Sequence, residues 1–129
     1  MKSNRPVNLS LSTVLMVNRS PVAIASILHR ISGVVIFLLI PALLYLLQES
    51  MASEEAFRHV TEDVLGGIVG GGLAFIALAG LIFHFVAGVK HLIQDFDIGE
   101  GKEAGPRIAA VALALAVAGI VAAFIWMVV

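Results

Sequence analysis

Three long runs of apolar residues, separated by short polar stretches, dominate this chain of 129 residues. They extend from about Ile31 to Leu47, from about Val64 to Val89, and from Ile108 to Val129. The third holds no charged residue, and at helical rise it covers roughly 33 Å, enough to cross a hydrocarbon core of ~30 Å. Hydrocarbon offers no water to backbone amides, so a segment lodged there must be helical or part of a closed barrel. Three spans cannot close a barrel. The pattern predicts an all-α integral membrane bundle of three transmembrane helices, a single domain over residues 1–129. Within it we expect a cytoplasmic arm over 1–20 and helices over about 21–48, 64–93 and 107–129. Ser20-Pro21 starts the first helix, with Ser20 as N-cap and Pro21 at the first helical position. Pro41 removes one backbone bond inside that helix and predicts a kink that packed neighbours can absorb.

Composition supports the same solvent. Only 13% of residues are charged while 60% are hydrophobic, too little polar surface to cover a water-soluble globule. Cysteine is absent, which excludes thiolate-held iron–sulfur clusters, thioether-attached haem and disulfides on this chain. A net charge of −1 gives no electrostatic footprint for nucleic acid. The polar and mixed residues ahead of the first apolar run argue against a cleavable signal peptide.

The basic residues set the orientation, because Lys and Arg accumulate on the cytoplasmic side. Lys2, Arg5, Arg19 and Arg30 precede or begin the first span, Arg58 alone occupies the first loop, and Lys90, Lys102 and Arg107 flank the second. The N-terminus and second loop are therefore expected in the cytoplasm, with the first loop and C-terminus on the periplasmic side. Tyr45 and Trp126 then fall at one outer interface, where amphipathic aromatics prefer to sit.

The polar residues inside the spans carry the candidate chemistry. Ser26, His29, Arg30 and Gly33 follow helical spacing on one face of the first helix. Arg30 and His29 can be read as snorkelling interface anchors, or as half of a patch for a polar head such as a quinone carbonyl or a haem propionate. The second span is rich in glycine, and the pairs Gly66/Gly70 and Gly67/Gly71 have the spacing of close helix packing. Gly80 and Gly88 lie one turn on either side of His84, leaving a slot that a porphyrin edge or another helix could fill. His84 itself is surrounded by Leu81, Ile82, Phe83, Phe85 and Val86. An imidazole in hydrocarbon is costly unless its nitrogens find partners, so it is either an interhelical hydrogen-bonding residue or an axial ligand to haem iron. His91 and Asp95 continue its face towards the cytoplasmic boundary, where solvation is an equal reading, and His59 in the acidic first loop is expected to be solvated.

Two segments add a resemblance. Pro21-Val-Ala-Ile-Ala-Ser-Ile-Leu-His-Arg-Ile-Ser-Gly33 and His84-Phe-Val-Ala-Gly-Val-Lys-His-Leu-Ile-Gln-Asp95 resemble the two signatures of the succinate dehydrogenase cytochrome b membrane-anchor family. Arg5-Pro-Val-Asn-Leu9 is similar to that family's N-terminal arm. The resemblance implies a non-flavin subunit of a succinate:quinone oxidoreductase in a bacterial inner membrane, serving the electron-transport chain and tricarboxylic acid cycle. Its partners would be a second small membrane anchor, an iron–sulfur subunit and a flavoprotein, besides ubiquinone and membrane lipid. No catalytic residue is implied on this chain. One b-type haem would lie between the anchors, with His84 as an axial ligand and the other supplied by the second anchor. His29 and Arg30 would lie by the haem propionates, and Ser26 and Arg30 in the ubiquinone site. Lys90 stands where many members carry arginine, which leaves a point-charge contact in place of a bidentate one. Two other classes compete with this reading: a haem-free structural anchor that recruits soluble partners, and a proton or ion relay through Arg30, His84 and Asp95. The relay is disfavoured because every ionisable group of the spans lies in the cytoplasmic half.

Overall fold

The computed structural model describes residues 12–13 and 19–129. The expected cytoplasmic arm, with Lys2 and the Arg5–Leu9 segment, lies almost wholly outside the described residues. Helix α1 spans Pro21–Ser50, short α2 spans Glu54–Arg58, α3 spans Ile68–Gln94 and α4 spans Ala104–Val128. A π-helical segment, His59–Val64, joins α2 to the approach of α3. No strand occurs among the described residues, and α1, α3 and α4 are each long and apolar enough to cross a membrane. The chain is an all-α, multi-pass membrane protein.

Local chemistry explains the ends. The Ser20 hydroxyl accepts the Ala23 N–H at 3.2 Å, and Pro21 contributes its fixed φ where no donor is missed. Helix α1 continues through Pro41. Helix α3 begins at Ile68, later than the apolar run, because Gly67 adopts an extended conformation (φ −74°, ψ 154°) as its N-cap. The glycines around this break do a different job from the helix packing their spacing suggests. A Cβ at Gly66 would strike the Glu62 carbonyl, and one at Gly70 would strike the Val64 carbonyl. They let the chain double back onto the π-helical segment, so their neighbour is backbone just upstream and not a facing helix. At the opposite end of the bundle, Gly99 takes a positive φ of 79°, and a Cβ there would meet Ile108.

The three long helices run up, down and up, so the end of α1, the start of α3 and the end of α4 share one side. There α2 and the π-helical segment form a cap. Ser53 caps α2 through the Ala56 N–H at 3.0 Å, and Val60 is buried beneath. His59 is exposed and meets Asp63 at 2.8 Å through Nδ1. Phe75 of α3 and Phe124 of α4 meet edge-on nearby, with centroids 5.5 Å apart.

The core is made of small residues. Ala25, Ser32, Ala87, Gly105, Ala109, Ala112 and Ala116 are buried, while Phe37, Leu38, Leu44, Phe85, Leu92 and Trp126 face outward. In lipid, apolar side chains gain nothing by leaving the surface, so close backbone approach through Ala, Gly and Ser holds the helices together. This places the α1–α3 seam, where the polar side chains lie, in the half of the bundle away from the cap.

Candidate cofactor-binding site

The site is built across the α1–α3 seam. His84 of α3 turns its ring onto the backbone of α1, with Nδ1 3.1 Å from the His29 carbonyl oxygen. A carbonyl can only accept, so Nδ1 is the donor of this bond, and in the neutral ring that arrangement leaves the lone pair on Nε2. Ser32 completes the contact. Its hydroxyl donates to the same carbonyl at 2.8 Å, and its oxygen lies 3.3 Å from His84 Nδ1. Serine at this helical position can reach back one turn in this way.

Glycine makes the approach possible. A Cβ on Gly33 would sit 3.0 Å from His84 Cε1, and one on Gly88 would sit 3.5 Å from His29 Nε2. The slot left open by Gly88 is thus filled from α1 by His29, and Gly80 likewise faces Ile36. The His29 ring stacks on His84 with centroids 4.2 Å apart and planes inclined by 24°. His91 lies on the other flank of His29 at 5.3 Å.

Two buried polar atoms of this region, His29 Nε2 and Lys90 Nζ, have no hydrogen-bond partner among the described residues. Lys90 is only 3% exposed. An ammonium removed from water without an acceptor is strongly disfavoured, so the region has an unmet demand for an acceptor or an anion. Among the described residues no group of three His, Cys, Asp or Glu side chains is placed to hold a metal by protein ligands alone. Any metal held by His84 must bring further ligands with it.

The residues singled out by sequence divide accordingly. His29 and His84 are in contact, and His91 joins them. Ser26 is half-buried one turn before His29, while Arg30 is exposed, with its charge within reach of His91. Asp95 is exposed at the end of α3. Ser32 was missed by sequence reasoning, although its spacing of three from His29 was a signal for a hydroxyl on the same seam. The burial of Lys90 had no sequence signal, because its place near the helix end reads as solvated.

The seam geometry coincides with a family match. The sequence matches the family of succinate dehydrogenase/fumarate reductase transmembrane subunits over residues 1–125. The chain belongs to that family. It is also 36% identical, over 126 residues, to a succinate dehydrogenase cytochrome b556 subunit of Coxiella burnetii, covering 98% of each chain. The resemblance noted in the two helical signatures is therefore borne out across nearly the full length. In this transmembrane subunit, those signatures face each other across the α1–α3 seam: the first supplies His29, Ser32 and Gly33, the second His84, Gly88 and His91, while Lys90 turns towards α4 beside Ala112 and Leu115.

Proposed function

We propose that the chain is the haem-binding anchor of a succinate:quinone oxidoreductase, holding the flavoprotein and iron–sulfur subunits at the cytoplasmic face of a bacterial inner membrane. It works beside a second small anchor in the electron-transport chain and tricarboxylic acid cycle, with its own C-terminus periplasmic. One haem b is shared by the two anchors, and His84 is this chain's axial ligand.

The observation that carries the reading is the contact between His84 Nδ1 and the His29 carbonyl at 3.1 Å. Tying Nδ1–H to a backbone carbonyl directs the lone pair of Nε2 outward and raises ring basicity, as metal-binding histidines require. The donor set also fits. Haem brings four nitrogens of its own, so one histidine from each of two chains completes the coordination. The unpartnered His29 Nε2 and Lys90 Nζ answer to the anionic edge of such a group, and Arg30 adds a guanidinium at the same end. When bound, haem supplies a one-electron redox centre. Ser26 and Arg30 contribute this chain's half of the ubiquinone site, where Ser26 donates to a quinone carbonyl and Arg30 stabilises negative charge as it develops.

The dithionite-reduced complex is expected to show a b-type optical spectrum that His84→Leu abolishes. An unaltered spectrum in that variant would remove His84 as ligand. Full enzyme activity with no haem band in the parent complex would instead favour a haem-free structural anchor.

A further inference from the structure

The haem reading uses the bond from His84 Nδ1 to the His29 carbonyl but leaves the second oxygen and the glycine at that edge unexplained. That edge is held by a hydroxyl and a hole in the same turn of α1. Ser32 is 8% exposed, too buried to serve solvent or a surface partner. Its hydroxyl bridges the His29 carbonyl (2.8 Å) and His84 Nδ1 (3.3 Å), so the ring N–H has two oxygens before it. Next to it, Gly33 brings α1 tight against the ring: a Cβ would lie 3.0 Å from His84 Cε1 and 3.3 Å from Nδ1, so the imidazole would have to give by a few tenths of an ångström. We infer that Ser32 and Gly33 are positioning residues, which set the tautomer, plane and basicity of the His84 imidazole and thereby tune the redox centre it ligates.

The inference rests on the assignment of His84 as haem ligand, and its physical logic is that of an outer coordination shell. An acceptor on the remote N–H of a ligating imidazole increases electron donation to the metal and favours the oxidised state. A second acceptor adds to the first in holding the ring against rotation about its Cβ–Cγ bond. A serine that merely bonds back to its own helix would stabilise α1 locally and leave the ligand's electronics untouched.

The test uses the whole complex, with the ferric haem's low-field g value, its midpoint potential and its haem content as readouts. Ser32→Ala is expected to raise the midpoint potential and to shift or broaden the low-field g value, with haem content retained. Ser32→Thr, which keeps the hydroxyl, should return both towards the parent values. Gly33→Ala should shift the g value by pressing on Cε1. If the alanine variant at position 32 does not assemble, Ser32→Cys is expected to move the potential in the same direction by a smaller amount. Parent-like potential and g value in Ser32→Ala or Ser32→Cys would overturn the inference, as would a threonine variant that behaves like alanine. Haem that persists unchanged in His84→Leu would sink the ligand assignment, and the inference with it. A response to His84→Leu alongside silence at Ser32 and Gly33 would sink the inference alone.

Discussion

The two seams of the bundle solve one problem in two ways. At the α1–α3 seam, Gly33 lets a backbone approach so closely that an added Cβ would lie 3.0 Å from His84 Cε1. At the α3–α4 seam, Gly119 achieves the same distance, 3.0 Å, to Ile82 Cγ2. The approach is equal and the contents differ. The second seam is lined by Ala112 and closed by the Phe75–Phe124 edge contact, and Ala109 and Ala116 of the same helix are 0% and 1% exposed. The first encloses His29, Ser32 and His84, and the buried, unpartnered His29 Nε2 belongs to it. Small residues in a membrane protein therefore do not by themselves distinguish a structural seam from a functional one. What distinguishes them is the polar group that close approach brings against a backbone carbonyl.

Substitutions at the two seams should separate stability from function. The largest effect on stability is expected from Ala109→Leu, which forces a branched side chain into a fully closed position. Overpacking of this kind costs about 1–3 kcal/mol, so thermal unfolding of the complex should move to lower temperature. Haem that does assemble should keep the parent spectrum, and an altered spectrum would show that the seams are not independent. Ser26→Ala comes next and acts in the opposite sense. Loss of one hydrogen bond to the quinone, about 1 kcal/mol or somewhat more, should slow quinone reduction roughly ten-fold. Succinate oxidation measured with an artificial acceptor should stay intact, whereas loss of both activities would point to failed assembly. The smallest effect is expected from Gly119→Ala. Its methyl group meets the end of the Ile82 side chain, which can rotate, so destabilisation should stay below ~1 kcal/mol. The haem spectrum should not change. Gly33→Ala carries an equal nominal clash against a ring pinned by hydrogen bonds, and a spectral response there but not at Gly119 would establish the contrast.

The family resemblance was legible because both signatures lie on long apolar helices whose order the pattern reveals. The membrane class followed from three runs such as Ile108–Val129, since hydrocarbon admits almost no other backbone solution. The glycine pairs of α3 were misleading for a local reason. Spacing of four identifies a helix face, but Gly66 and Gly67 precede the helix and face the carbonyls of the turn before it. Lys90 was equally opaque. Its place one turn before the end of α3 suggests solvent, while the helix rotation set by Ala87 turns it inward.

The sequence by itself determined the solvent, the number of membrane-spanning helices and the residues able to do chemistry, because hydropathy and helical spacing are properties of a single segment. Only the tertiary structure decided that His84 is held by α1, that its Nδ1 faces the His29 carbonyl and that Ser32 shares the contact. Those facts depend on the rotation and depth of one helix against another. Both are set by where glycines on each allow approach, and no pattern within either helix encodes that relation.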